Sequence, residues 1–585
     1  MKKIKLKIDG KEIGCLQGQT LFNVAKENGV YIPGLCEHPD FPHKANCRLC
    51  LVELKRPGKK SAWDKKLQTS CSIIAEEGME VRTDTERVKK ARNLNLELIF
   101  AEHIEKCPTC IWRVNCKLLE YAEKYKIEIT RFKDRKGKRK IYKFGNAVEI
   151  DGTQCIDCRN CIDACSLIQN INYLELKGKG INQEIVPTNK KGVHCIYCGQ
   201  CALHCPVGAA QEQSDWDKVE KLLKNKNKIM VAQFAPSIRV SIGEEFGLPY
   251  GKVVTGQVVA GLKKLGFDHV VDVNFGADAT TIVEAGELIE RIKTSLQPSP
   301  SKGEGGLMPM ITSCCPGWVN YCEYYHPELL PNLTTSRSPH IHLGGFVKTY
   351  WADKMKVRSK DIVIVSIMPC TAKKHEISRP EMKINGSRPV DYVLTNREFA
   401  WLIKKNNINF SKLKSEKADS LLGEQSGAAV IYGGSGGVME SALRTAHAFL
   451  CGKKKSGVCE PKIDFEQVRG LEGVKEAVVN VGGKDLRVAI VNGIGNIETV
   501  LKNINNYDYI EVMACPGGCI GGGGQPIPTT AEIRKKRIEA LYKLDKNSKS
   551  RKAHENKEVK EVLKWLAKDR KLEHQVLHTK YKKRA

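Results

Sequence analysis

The chain is poor in two kinds of signal. No run of about 18 apolar residues, the length a membrane-crossing helix needs, occurs anywhere in it. Met1-Lys2-Lys3 leads into an alternating strand pattern where a secretory signal would place an apolar stretch. These absences argue against membrane insertion and predict a cytoplasmic protein. A nucleotide fingerprint is also missing. The Gly433-Gly434-Ser435-Gly436-Gly437 loop lacks both the P-loop lysine and the dinucleotide spacing, so it is read as tight strand–helix packing. With 41% hydrophobic and 28% charged residues the chain has the material for a buried core, which excludes a disordered polymer. Its 585 residues predict at least three folding units.

Cysteine is abundant: 24 residues, many in C-x-x-C groups. In a small secreted chain these would suggest disulfides, but in a large chain without a signal they point to metal ligation. The formal net charge is +28, yet Lys and Arg are scattered and bound clusters would add negative charge, so nucleic acid is not expected. A basic surface suits an acidic protein partner, and small electron carriers are often acidic.

Residues 3 to 8 alternate strictly, Asp9-Gly10 makes a hairpin turn, and Thr20 to Asn28 reads as a helix ended by Gly29, together a β-grasp-like unit. Cys36, Cys47, Cys50 and Cys71 follow. Four thiolates suit zinc or a [2Fe–2S] cluster; zinc ribbons generally use two C-x-x-C pairs, so the isolated Cys36 and Cys71 favour the cluster. The spacing between Cys50 and Cys71, with the basic Arg56 to Lys60 stretch, suggests a lengthened hairpin. A helix beginning near Thr85 leads to His103, Cys107, Cys110 and Cys116, a set that zinc could also claim. The neighbours decide for a [4Fe–4S] cluster. Two runs of C-x2-C-x2-C-x3-C follow, in which the fourth cysteine ligates the other cluster. One [4Fe–4S] is therefore assigned to Cys155, Cys158, Cys161 and Cys205, the other to Cys195, Cys198, Cys201 and Cys165. Four adjacent redox centres make sense as a relay for single electrons. The basic Arg131 to Lys143 segment is read as a solvated hairpin, with a docking surface for an acidic donor as the second reading.

From Lys228 onward short apolar strands alternate with amphipathic helices, the pattern of an α/β domain. Candidate strands are Ile229 to Phe234, His269 to Val273, Met308 to Thr312, Ile362 to Ile367, Ala428 to Tyr432, Arg487 to Val491 and Tyr509 to Met513. Three lead into cysteine motifs: Thr312 to Trp318 (TSCCPGW), Met368 to Glu376 (MPCTAKKHE) and Met513 to Cys519 (MACPGGC). Ligands of open α/β sheets bind beyond the carboxyl ends of strands, so these loops can converge on one site. The Gly521 to Gly524 run would let backbone approach a bulky cofactor.

These motifs, in this order and behind this cysteine array, resemble an [FeFe]-hydrogenase of the long, ferredoxin-like type over nearly the whole chain. The resemblance implies reversible 2H⁺ + 2e⁻ ⇌ H₂ at an H-cluster, a [4Fe–4S] cubane joined through a cysteine sulfur to a di-iron subcluster with CO, cyanide and a dithiomethylamine bridge. One [2Fe–2S] and three accessory [4Fe–4S] clusters would feed it. The implied cubane ligands are Cys315, Cys370, Cys515 and Cys519, with Cys519 also the bridge. Cys314 would relay protons to the bridge amine, continued by Glu287, Thr334, Glu284 and Arg291; Thr334 stands where serine is usual. Lys373 is the cation implied beside one cyanide, with Glu376 orienting it. Pro236 and Ser237 would cradle the other cyanide, and Met368 and Met513 would pack on the di-iron unit. His340 departs from the glutamine often found after Ser-Pro, which changes the local hydrogen bonding.

The expected fold is multidomain α+β and α/β. It comprises a β-grasp [2Fe–2S] domain (1–80), a [4Fe–4S] domain with one histidine and three cysteine ligands (81–140), a ferredoxin-like two-cluster domain (141–215) and a two-lobed α/β H-cluster domain (216–585). Electrons would pass to or from ferredoxin or a flavin-bearing NADH-oxidising partner subunit, and maturation proteins would supply the di-iron unit. The rival readings are a hydrogen sensor, an iron–sulfur scaffold relative and an electron-transfer subunit like that of respiratory complex I. Ser295 to Leu307 reads as an exposed insertion, the segment around Arg551 to Asn556 as the start of a closing wrap, and Cys15, Cys322, Cys451 and Cys459 as structural thiols.

Overall fold

The computed structural model describes residues 2–58, 63–113, 116–294, 307–420, 422–452 and 463–584. Residues 295–306, Cys459 and the end of the Arg56 to Lys60 stretch lie outside them. The N-terminal sheet holds β1 (Lys3–Ile8), β2 (Lys11–Leu16), β3 (Leu51–Lys55), β4 (Gln68–Thr69) and β5 (Glu80–Arg82) in the order β2-β1-β5-β3-β4. The β1–β2 hairpin turns through Asp9 and Gly10 at φ 49° and 82°, the left-handed pair that matches strand twist. Alternation sends Ile4, Leu6 and Ile8 inward against Leu21 and Val24 of the helix Leu21–Glu27. Thr20 caps that helix by accepting from the Asn23 N–H. The expected β-grasp-like unit is thus present.

The helix Glu86–Ala101, capped by Thr85, delivers the chain to His103. Beyond it lie β6 (Ile141–Phe144), β7 (Val148–Asp151), the hairpin β8 (Leu174–Lys177) with β9 (Glu184–Pro187), and β10 (Ala210–Glu212), which pairs on β7 in the order β10-β7-β6. The basic segment leading into β6 is largely exposed, as the solvated reading expects, and β6 pairs antiparallel with β7, but four of its cations are held by carboxylates. Arg131 pairs with Glu97, Arg135 with Glu102, Lys136 with Glu102 and Asp157, and Arg139 with Asp157. Its charges pin the loop to carboxylates brought in by other elements.

Two sheets build the larger body. One is fully parallel, β12-β11-β14-β15, from β11 (Ile229–Phe234), β12 (His269–Asp272), β14 (Ile362–Met368) and β15 (Tyr392–Thr395). The other runs β13-β18-β17-β16, from β13 (Met310–Ile311), β16 (Val474–Val481), β17 (Lys484–Asn492) and β18 (Tyr509–Met513), antiparallel only at the β16 edge. This is the expected two-lobed α/β body. One expected strand is wrong: residues 428–432 form the helix Gly427–Val430 and a following tight turn. A short run buried on all sides has no period to separate strand from helix. Ser426 decides locally by accepting from the Ala429 N–H as a cap, itself held by Asp278. The chain end wraps back as expected: Thr579 N–H donates to the Thr335 carbonyl at 2.8 Å, and Asn556 donates to Asp278 at 3.0 Å.

Candidate active site

The cysteines of the N-terminal domains fall into compact groups. The Cys50 and Cys71 sulfurs lie 3.3 Å apart, and the Cys47 N–H donates to the Cys36 sulfur at 3.4 Å. His103, Cys107, Cys110 and Cys116 line one cavity. His103 Nδ1 sits 2.8 Å from the Gln154 carbonyl, which can only accept, so Nε2 keeps the lone pair. Burial holds this imidazole down to about 4, hence neutral at pH 7. Cys155, Cys158, Cys161 and Cys205 share a small apolar cavity with Ile150, Ile185 and Val207. Cys165, Cys195, Cys198 and Cys201 share a second. The exchange of fourth cysteines read from the spacing is therefore how the thiols are grouped in space. Burial pushes the Cys155 thiol up to about 12 and Cys158 and Cys161 well above their ordinary value; a bound iron would reverse this and displace the protons.

The three motifs of the larger body meet as expected. Cys314, Cys315, Cys370, Cys515 and Cys519 line one cavity together with Pro236, His340, Met368, Lys373, Tyr432 and Met513. Its floor admits no side chain: a Cβ on Gly522 would lie 2.3 Å from the Pro369 carbonyl, and one on Gly518 would lie 2.8 Å from the Ser435 nitrogen. The glycine run does not simply face a cofactor, however. A Cβ on Gly523 would lie 2.3 Å from the Cys198 carbonyl, so the run chiefly lets the Cys198 loop seat against the Cys519 loop. Gln200 Nε2 donates to the Gly521 carbonyl at 2.9 Å and Thr371 Oγ1 to the Tyr197 carbonyl at 2.8 Å, closing that seam. Ser237 is fully buried, and its hydroxyl has no partner within the protein. Four clustered thiols, a glycine floor and an orphaned hydroxyl beside it fit an iron–sulfur group carrying polar ligands.

On the far side of Cys314 a polar track leads outward along the helix Asn274–Thr294. Burial pushes the Glu284 carboxyl up to about 8, against a hydrogen bond from Tyr509 at 2.6 Å, while Glu287 and Glu511 push it further. Glu287 pairs with Arg291, whose Nη1 also donates to the Leu307 and Asn332 carbonyls at 2.8 and 2.9 Å. The hydroxyl that reaches Glu287 is that of Thr335, at 3.1 Å; the Thr334 hydroxyl accepts from the Ser336 N–H at 3.1 Å. Thr334 turns inward and is fully buried, so adjacent threonines divide the track between them. Sequence reasoning missed Thr335 and Tyr509; no local pattern links Tyr509 to a carboxylate 225 residues away. Burial also pushes the Cys314 thiol well above its ordinary value, so this side chain is a neutral S–H, not the easily ionised thiol its type alone suggests.

Lys373 donates to Glu376 at 2.8 Å and to the Cys314 carbonyl at 3.1 Å. Against the cost of burial, Lys373 and His340 hold the Glu376 carboxyl well below its usual range, so it is ionised. His340 Nε2 lies 2.6 Å from Glu376, a contact the sequence does not foretell.

Comparison with known proteins agrees with this geometry. The family described as "Iron only hydrogenase large subunit, C-terminal domain" matches residues 228–523, and "Iron hydrogenase small subunit" matches 531–584. Upstream, "2Fe-2S iron-sulfur cluster binding domain" matches 1–86, "NADH-ubiquinone oxidoreductase-G iron-sulfur binding region" 92–131 and "4Fe-4S dicluster domain" 154–209. The chain is 38% identical to the NADP-reducing hydrogenase subunit HndD of Solidesulfovibrio fructosivorans across 100% of both chains. It is 36% identical to iron hydrogenase 1 of Clostridium pasteurianum across 98% of this chain and 99% of that one. The apo [FeFe]-hydrogenase HydA1 structure from Chlamydomonas reinhardtii superposes with a TM-score of 0.54 at 34% identity, covering 63% of this chain and 99% of the other. With its three cysteine loops gathered behind a row of iron–sulfur domains, this chain belongs to the iron-only hydrogenases.

Proposed function

We propose that the chain interconverts protons, electrons and H₂ at an H-cluster in the cavity of the three motifs. The observation that carries this is the convergence of Cys315, Cys370, Cys515 and Cys519 with a fifth thiol, Cys314, and a buried ammonium, Lys373, on one cavity. Cys315, Cys370, Cys515 and Cys519 would hold the cubane, and Cys519 would also join it to the di-iron unit. When bound, the group supplies the redox-active iron at which protons and electrons combine. Pro236 and Ser237 would present the orphaned hydroxyl to one cyanide, Lys373 its ammonium to the other, and Met368 and Met513 would exclude water around the di-iron unit.

Cys314 then acts as the inner proton carrier, donating and regaining its S–H proton as a neutral group. Glu284, titrating near 8, is protonated at neutral pH and can restock it. Glu287 and Arg291, with the Thr334 and Thr335 hydroxyls, would complete the route to solvent. Electrons would cross from the [4Fe–4S] site of Cys195, Cys198, Cys201 and Cys165, whose loop packs on Gly523. Behind it would stand the site of Cys155, Cys158, Cys161 and Cys205, the His103, Cys107, Cys110 and Cys116 site, and the [2Fe–2S] site of Cys36, Cys47, Cys50 and Cys71. The outer partner is a ferredoxin or a flavin-bearing subunit linked to a nicotinamide; the name of HndD as a subunit of an NADP-reducing hydrogenase favours the second. Maturation proteins would deliver the di-iron unit.

Hydrogen evolution from reduced methyl viologen, by protein produced anaerobically with maturation proteins, tests the reading. Cys314→Ala is expected to keep its iron and lose at least about 100-fold in turnover, whereas Cys519→Ala is expected to lose the di-iron unit. Iron-replete, matured protein without turnover would favour a sensor or scaffold.

A further inference from the structure

Lys373 is carried on a short helix, Ala372–Glu376, and lysine is a long, flexible side chain that must be held to keep one geometry. The structure supplies a hydrogen-bonded chain that does this. Gln233 Nε2 donates to Ser366 Oγ, Ser366 Oγ lies 3.2 Å from His340 Nδ1, and His340 Nε2 lies 2.6 Å from Glu376 Oε2. The same carboxylate oxygen accepts from Lys373, and Lys373 donates again to the Cys314 carbonyl. Every link has one consistent polarity. A carboxylate only accepts, so His340 Nε2 carries the proton and Nδ1 takes the Ser366 hydroxyl proton. Gln233, Ser366, His340 and Glu376 are all buried, none more than 3% exposed, and the strands β11 and β14 fix the first two. Two of the three ammonium N–H groups are thereby assigned to protein, which leaves the third for an anionic group in the cavity that Lys373 lines.

We propose that His340 is a positioning residue: by holding Glu376 it aims the Lys373 ammonium into the cavity. The inference rests on the H-cluster reading given above, and it goes beyond that reading by giving this chain's histidine, in place of glutamine, a specific task. Without the imidazole donor, the Glu376 carboxylate can rotate and carry the ammonium away from its target. Glutamine can place an amide N–H near the same point and so can do the same work; leucine cannot.

The test compares wild-type protein with His340→Gln and His340→Leu after anaerobic maturation, by iron content and by infrared spectroscopy of the CO and cyanide bands. Iron content and CO bands are expected to match in all three. One cyanide band is expected to shift in His340→Leu and to return to the wild-type position in His340→Gln, with turnover about tenfold lower in the leucine variant alone. If His340→Leu does not fold, His340→Asn, too short to reach Glu376, takes its place with the same expected band shift. Cyanide bands that coincide in wild type and the donor-less variant overturn the proposal while leaving the H-cluster reading intact. Matured wild type without CO and cyanide bands overturns both.

Discussion

At the scale of single residues, the chemistry turns on how burial sets proton affinity. Glu284 is the informative case, because a free glutamate is ionised at neutral pH while this one, kept out of water, titrates near 8. The Tyr509 hydroxyl donates to it and so favours the anion; removing that donor raises the carboxyl further. Tyr509→Phe is therefore expected to move the alkaline limb of hydrogen evolution upward by about one pH unit, the equivalent of roughly 1.4 kcal/mol. A pH–rate profile measured with reduced viologen checks this, and a limb that stays where the wild type has it would remove Glu284 from the proton route. Tyr509 is invisible to motif reading because its partner lies 225 residues away in the chain.

Among elements, the seam between the Cys198 loop and the Gly521 to Gly524 run is the junction that matters. Gly199 sits at φ 71° and Gly523 packs 2.6 Å, measured from its would-be Cβ, from the Gly199 Cα. Both neighbours are backbone, which cannot yield as a flexible side chain can. Gly523→Ala is expected to cost about 1–3 kcal/mol by thermal melting and to slow reduction of the cubane by the neighbouring cluster. Gly14→Ala, where a Cβ would meet nothing within 4 Å, serves as the control and is expected to leave electron transfer unchanged. Equal transfer rates in the Gly523→Ala variant and wild type would show that the seam does not set the inter-cluster distance.

For the whole molecule, the apolar cores run through the cysteine groups instead of around them. One core gathers Leu35, Cys36, Cys47, Phe100, Cys155, Cys158, Cys161 and Cys205, and the next gathers Ile196, Trp318 and Ala514 with Cys165, Cys198 and Cys315 packed against it. Cysteine groups buried in continuous packing are held at fixed separations, as the proposed relay requires. Cys205→Ser is expected to release the complete cluster assigned to Cys155, Cys158 and Cys161, about four iron atoms, although Cys205 closes the other run in sequence. Hydrogen turnover driven by a protein donor should then fall more than turnover driven by viologen, which can reduce several centres directly. Equal losses with both donors would place the entry of electrons elsewhere.

Much of this was legible from the chain alone. C-x-x-C spacing is a local property, so the N-terminal cysteines and their crossed grouping could be read directly, as could the alternation of β1 and the helix starts at Thr20 and near Thr85. Strands ending in cysteine motifs announced convergence on one cavity, because a parallel sheet aligns its carboxyl ends. What remained hidden depends on contacts between distant segments. The helix at Gly427–Val430 lacked any period of its own, the basic Arg131 to Lys143 loop gave no sign of the carboxylates that bind it, and adjacent threonines at 334 and 335 differ only in which way each faces. The pairing of His340 with Glu376 and of Tyr509 with Glu284 joins residues 36 and 225 positions apart. Sequence by itself determined which thiols this chain carries and in what order; tertiary structure alone decided which buried groups hold protons, because desolvation and hydrogen bonding act only where the chain is packed.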